Sequence, residues 1–296
     1  MIIHNIDMLT QAVRAANDAT PNARLREVVD ALVRHAHAFI REVKPSAEEF
    51  EAAIGFVTGI GQATTDTHNE VILASDILGF SSLVSLLSNT PGGTHTEAAL
   101  LGPFWRENAP DCAHGDNIAR SAAPGLPVVM HGQVVGADGA PIAGALVDVW
   151  QANPLGFYDN QDPTQEAMNL RGRFHSDEAG RFWFQTVRPA GYPVPTHGPC
   201  GDLLRAQLRV PYRPAHIHFM VSKPGHETLI TQVFADDAEH LDNDVTFSVL
   251  QSLIAHFERH DSSEGAPEGV TAPWLSLDYR FVLQPGAQRF PTSPIR

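Results

Sequence analysis

Apolar residues recur at helical spacing through the first third of the chain, and in short strand-like runs through the rest. Over 22–44, Leu25, Val28, Val29, Leu32, Val33, Ala36, Phe39, Ile40 and Val43 follow the three-four spacing of one buried stripe. Lys44-Pro45 ends that helix, since the residue before proline is pushed out of helical backbone. Ser46 followed by Glu49 reads as a capping box that starts a second helix over about 47–60. A third, longer helix is expected over 69–88, with Val71, Ile72, Ile77, Leu78, Leu83, Val84, Leu86 and Leu87 apolar around more of its circumference. Pro91-Gly92-Gly93 breaks it, and Thr94 with Glu97 repeats the capping signature before a short turn into Leu100. An earlier helix is expected over roughly 5–17.

After Gly102-Pro103 the grammar changes. Residues 105–127, rich in Pro, Asn, Asp and Gly, read as a long connection. Short strands bounded by turns follow at 128–135, 145–150, 173–175, 181–184, 216–221 and 229–234, with a closing strand at 279–283 and a helix or helical turn over 244–258. Helices first and strands after predict an α+β chain: a helical region over 1–104, then an antiparallel β-sandwich over 105–296.

Charge narrows the partners. Asp and Glu outnumber Lys and Arg by 34 to 20, a net charge of −14, which argues against a nucleic-acid or anionic-membrane surface. Two cysteines, Cys112 and Cys200, imply no disulfide framework and fit reduced thiols in the cytoplasm. The start lacks a basic region followed by an apolar stretch, and no apolar run approaches the ~20 residues needed to span a bilayer.

The stretch richest in chemistry is Pro-Tyr-Arg-Pro-Ala-His-Ile-His-Phe-Met, 211–220. In an extended chain His216 and His218 project from one face, while Ile217 and Phe219 face the core. Such a pair can bind one metal ion, yet it also occurs on solvated strands. Upstream, Asn-Pro-Leu-Gly-Phe-Tyr-Asp-Asn (153–160) and Val-Arg-Pro-Ala-Gly-Tyr-Pro-Val-Pro (187–195) set Tyr158 and Tyr192 beside turn residues, and the chain has only four tyrosines in all. Two other readings stay open on these residues. Segment 131–184 also describes a non-enzymatic sandwich module of the transthyretin-like type, which has no need of Tyr158, Tyr192, Arg213, His216 and His218 together. A cupin-type metal enzyme also uses His-x-His, but would leave the tyrosines idle.

With Tyr, Tyr, His-x-His and a preceding Arg, the sequence resembles the intradiol ring-cleavage dioxygenases over nearly its whole length, most densely from Leu101-Gly102-Pro103-Phe104 to Phe247. The resemblance implies one non-haem ferric ion per chain, held by Tyr158, Tyr192, His216 and His218. Phenolate is a hard anion with a free pKa of roughly 10, so a strong Lewis acid is needed to keep it ionised at neutral pH. The resemblance further implies a catecholic substrate bound through both hydroxyls, with Tyr192 leaving the metal to take a proton and Tyr158 staying. Arg213 would stabilise carbanion character on the ring, assisted by Gln232. Within the family, Leu73-Ala-Ser-Asp76-Ile-Leu-Gly79 and Gly-Asp-Leu-Leu-Arg-Ala (201–206) are most similar to the hydroxyquinol-cleaving branch, with catechol or chlorocatechol cleavage as the alternative. The implied substrate positions are Leu73 and Asp76 on the third helix, then Leu100, Leu101, Gly102, Pro103 and Phe104, and finally Val194, Pro195, Arg213 and Thr246. Leu101 and Thr246 depart from the aromatic and aliphatic residues of that pattern, which leaves room for an altered ring substituent. The resemblance also implies dioxygen as co-substrate, a homodimer formed through the helical region, and a phospholipid retained at that interface.

Overall fold

Three asparagines start helices. Asn5, Asn22 and Asn69 stand in extended backbone, and each side chain accepts a backbone N–H from the first turn of α1 (Ile6–Asn17), α2 (Ala23–Val43) or α4 (Glu70–Ile77). Before α3 (Ala47–Ala63) the capping box forms as expected: Ser46 N donates to Glu49 Oε2 at 2.7 Å, and Glu49 N donates to Ser46 Oγ at 3.2 Å. The computed structural model describes residues 2–88, 93–122 and 124–294, which form two compact units, Met1–Thr58 and Gly59–Arg296. The units divide at 58, not at the expected 104, with α4 and α5 (Phe80–Ser88) in the second, and the first strand begins only at Pro127.

In the first unit α1 lies against α2, joined by Thr10 Oγ1 to His37 Nδ1 and by the Arg14–Asp30 and Arg41–Asp7 ion pairs. The expected stripe of α2 is present but not buried: no residue of α2 is buried, and Leu32 is 64% and Phe39 62% exposed. Helical spacing reveals an apolar face without revealing what covers it.

The single helix expected over 69–88 is two. α4 and α5 bend by 72° at Leu78-Gly79, where Gly79 has φ +73°, a backbone that any side chain disfavours. The apolar pattern ran unbroken because both halves are apolar; the glycine was the missed signal. Among the described residues no single helix is long and apolar enough to cross a membrane. The Pro91-Gly92 part of the expected break lies outside the described residues. No helix follows Thr94 and Glu97; instead Thr96 N donates to the Val282 carbonyl and Ala99 N to that of Ile230, so this segment lies along strands.

Eleven strands follow in the described residues: β1 (Pro127–Gly136), β2 (Leu146–Gln151), β3 (Arg171–His175), β4 (Arg181–Val187), β5 (Tyr192–Pro193), β6 (Tyr212–Arg213), β7 (His216–Ser222), β8 (Leu229–Ala235), β9 (Ile254–Ala255), β10 (Glu258–His260) and β11 (Trp274–Leu283). A four-stranded sheet in the order β10-β11-β1-β4 and a five-stranded sheet β3-β2-β7-β8-β9 make the sandwich, while β5 and β6 form a separate pair. Val128, Met130, Phe182, Phe184, Leu277 and Phe281 of one sheet and Val147, Val149, Ile217, Phe219 and Val233 of the other belong to a single buried core. Most neighbours are antiparallel as expected, but β1–β11 and β8–β9 run parallel. No tight hairpin joins those partners, so none dictates their direction. The helix expected over 244–258 is absent. That stretch is a loop, one 3-10 turn (Gln251–Leu253) and the short strands β9 and β10. Conversely α6 (Pro199–Ala206) forms where no helix is expected from the sequence.

Candidate active site

β7 is an inner strand, paired with β2 on one side and β8 on the other, and every residue of it is buried. Alternation sends Ile217, Phe219 and Val221 into the core and turns His216 and His218 to the opposite face. His216 Nδ1 lies 2.7 Å from the Pro214 carbonyl, an acceptor only, so Nδ1 carries the proton and Nε2 keeps its lone pair. His218 stacks on Trp150 of β2, ring centroids 4.8 Å apart and 10° from parallel. Gly102 (φ +74°) approaches its other side, where an added Cβ would sit 3.1 Å from His218 Cε1.

The tyrosines arrive from two other places. Register in the β5–β6 pair sets Tyr192 directly opposite Arg213. Tyr158 follows the Asn153–Gly156 turn, stacks on Phe104 at 4.6 Å and lies beneath the buried Arg171 guanidinium at 5.7 Å. Their hydroxyls are 3.3 Å apart, and the two histidine Nε2 atoms are 3.1 Å apart. Donors held at about 2.1 Å from one ion lie roughly 3.0–3.4 Å apart for right-angle to tetrahedral bonds, so both spacings fit one shared ion. Among the described residues no group of three or more His, Cys, Asp or Glu is arranged to hold a metal. An ion bound at this cluster would therefore need phenol oxygen as well as imidazole nitrogen.

Electrostatics agree with that donor set. Burial pushes the His216 imidazole down to about 3, helped by the Arg213 charge, and pushes His218 well below its ordinary value, helped by His216. Both rings are neutral at pH 7, the form in which an imidazole can bind a metal. Burial raises both phenols, Tyr158 well above its usual value with Tyr192 adding to the effect, so the protein alone keeps them protonated. Ionising them requires a strong cation at the cluster.

A cleft beside this cluster is lined by Leu73, Asp76, Gly102, Pro103, Phe104, Tyr192, Val194, Pro195, Arg213 and Thr246, so most of the expected substrate positions come together. Leu100 and Leu101 do not line it. Leu100 serves through its backbone carbonyl, which accepts from Gln232 Nε2 at 2.7 Å, and Leu101 packs against the aromatic cluster around Phe104. His68 and Asn69 line the cleft without having been expected. Wider hollows of about 730 and 580 Å3 open elsewhere on the surface, but neither is lined by any of the two tyrosines and two histidines. Within the cleft, burial raises the Asp76 carboxyl to about 6, against the pull of Ser81 and Arg213.

Arg213 is held from all sides. Nη2 donates to Gln232 Oε1 (2.7 Å) and Ser248 Oγ (2.6 Å), Nε to Asp244 Oδ1 (3.3 Å), and Nη1 to His216 Nε2 (3.2 Å). Burial opposes its charge, but Asp244 and the tyrosines outweigh that and raise its pKa. Asp244 and Ser248 were hidden in a stretch read as helix. Their signal was an Asp with Thr and Ser two and four residues on, the pattern of a side-chain-capped turn.

A family model described as "Dioxygenase" matches residues 100–285, and one described as "Catechol dioxygenase N terminus" matches 22–94. The chain is 44% identical to a 6-chlorohydroxyquinol 1,2-dioxygenase of Cupriavidus pinatubonensis, over 94% of this chain and 96% of that one. It is 42% identical to a hydroxyquinol 1,2-dioxygenase of a Rhizobium species, over 88% and 89%. Among solved structures, a hydroxyquinol 1,2-dioxygenase from Pseudomonas putida superposes with a TM-score of 0.87 at 37% identity, covering 95% of this chain and 99% of that chain.

Proposed function

Since the chain belongs to the intradiol ring-cleavage dioxygenases, we propose that it cleaves hydroxyquinol (benzene-1,2,4-triol) between its two adjacent hydroxylated carbons. Both atoms of dioxygen enter the product, 3-hydroxy-cis,cis-muconate, the enol form of maleylacetate. The observation that carries this reading is the buried pair of tyrosines and pair of histidines beneath a cleft that holds a carboxylate and a guanidinium.

Tyr158, Tyr192, His216 and His218 would hold one ferric ion, which when bound ionises the phenols and draws electron density from a chelated catecholate. Tyr192 borders the cleft and Tyr158 does not, so Tyr192 is the phenolate placed to accept a substrate proton. Arg213, buried and fixed, stabilises negative charge that develops on the ring as it is attacked. Gln232 holds Arg213 through its carbonyl, while its amide is anchored on Leu100. Asp76 accepts a hydrogen bond from the third hydroxyl, which catechol lacks. The apolar walls, Leu73, Phe104, Val194 and Pro195, take the ring faces and exclude water.

The exposed apolar residues of α2 and α3 support a homodimer joined through the helical region to residue 104, with a phospholipid held at that interface. Two unpaired cysteines favour the cytoplasm. Purified protein should bind one ferric ion per chain and show a broad visible phenolate band that moves when a catechol is added. It should convert hydroxyquinol faster than catechol or chlorocatechols. Catechol as the better substrate would replace hydroxyquinol in this reading; colourless protein with zinc or no metal, inactive on every diol, would return it to the sandwich-module alternative.

A further inference from the structure

We infer that Asp244 and Ser248 are positioning residues that fix Arg213 so that Nη1 alone is presented to the reacting ring, an inference that rests on the dioxygenase reading of Arg213. A guanidinium has five N–H donors. Nε is taken by Asp244, and both hydrogens of Nη2 are taken by Gln232 and Ser248. The partner of Nη1 is different in kind: His216 Nε2, whose lone pair is the atom a metal would claim. Once that lone pair is committed, Nη1 is the corner of the fork held by no carboxylate, amide or serine, its remaining side-chain neighbour being the Tyr192 phenol, and Arg213 borders the cleft.

The 244–248 loop is built for this. Ser248 Oγ donates to Asp244 Oδ2 at 2.7 Å, so its lone pair is turned to Arg213. Thr246 Oγ1 and Ser248 N also donate to Asp244 Oδ2, at 2.9 Å each. Between them Phe247 sits at φ +54°, uncommon for a bulky residue and maintained only where surroundings over-determine it. The surroundings are identifiable. Phe247 N donates to the Asp244 carbonyl at 3.0 Å, and Arg209 covers the Phe247 ring at 4.7 Å while donating to the carbonyls of Val245 and Ile77. Backbone strain at an exposed phenylalanine is thus tied to the placement of one buried serine hydroxyl.

The test uses Ser248→Ala, Ser248→Thr and Asp244→Asn in the iron-loaded protein. Ser248→Ala should lower kcat for hydroxyquinol about tenfold, with KM, iron content and the dissociation constant of 4-nitrocatechol (read from the visible band) within about twofold of wild type. Ser248→Thr, which keeps the hydroxyl, should recover most of the loss. Independently of turnover, solvent exchange of the Arg213 Nε–H in metal-free, 15N-arginine-labelled protein should quicken roughly tenfold or more in Asp244→Asn. An unchanged kcat in Ser248→Ala, a loss matched in iron or 4-nitrocatechol binding, or no recovery in Ser248→Thr would overturn the inference. If wild-type protein loads iron but turns over no diol, the functional reading fails by itself. The exchange measurement then decides whether the clamp exists, and unchanged exchange defeats it.

Discussion

Asp76 is a carboxylate placed where burial penalises its charge, and its ionisation has a readable consequence. Burial lifts its pKa to about 6, so above that pH it is an anion and a strong acceptor, and below it an acid. If it recognises the third hydroxyl, the ratio of kcat/KM for hydroxyquinol to that for catechol should fall as pH drops through about 6. In Asp76→Ala the ratio should be flat with pH and lower by at least about tenfold at pH 7.5, since sites built around such a bond discriminate strongly. The same ratio in both proteins at every pH, with full iron, would reduce Asp76 to a structural residue. At this scale the sequence was most legible where a residue's role depends on near neighbours. His216 and His218 are set by strand alternation, and Tyr192 by the Gly and Pro beside it. The clamp on Arg213 was not legible, because Asp244 is brought to it from 31 residues away by tertiary packing alone.

Strand β2 carries a buried carboxylate of another kind. Asp148 sits between Val147 and Val149, accepts from Trp105 Nε1 at 3.1 Å, and is raised by burial to about 6. A folded pKa above the unfolded one means the native state holds the proton more tightly. Its stabilising effect is complete below about pH 4 and is lost as pH rises toward about 6. Two units correspond to roughly 3 kcal/mol as an upper bound. Asp148→Asn, which keeps an acceptor for Trp105, should therefore flatten the decline of stability between pH 4 and 6 and leave the variant more stable than wild type at pH 7.5. Urea midpoints across that range measure it, and an unchanged slope would refute it. Asp76 adds a decline of the same sign, so the slope should shrink rather than vanish. Among the elements themselves, α2 was legible from its period and its stop before Pro45, α3 from its capping box, and β7 from alternation. The bend between α4 and α5 was not, because one glycine in an unbroken apolar run outweighed the pattern. The stretch over 244–258 misled for the opposite reason: its apolar residues serve a loop and two short strands.

Across the whole molecule, order of helices and strands foretold the architecture, but not which apolar faces one chain leaves open. Leu32, Phe39, Phe50 and Val57 are all more than half exposed, more apolar surface than a solitary chain usually shows. Light scattering should give twice the 32.1 kDa chain mass, and Leu32→Glu with Phe39→Glu should halve it; a monomeric wild type at micromolar concentration would sink the dimer. Partner choice in the smaller sheet bears on how the molecule is made. β1 lies between β4 and β11, and all nine of its register partners on the β11 side, from Leu275 to Leu283, come late in the sequence. At a ribosomal pace of about 5–20 residues per second, that edge waits on the order of 10–30 s after β1 emerges. The edge in waiting is Pro-Val-Val-Met-His-Gly-Gln-Val-Val-Gly, β-branched and nearly uncharged, the kind of strand that recruits strangers. Yield in a cell should thus depend on how quickly synthesis runs and on chaperones that hold the nascent chain, more than on the stability of the finished enzyme.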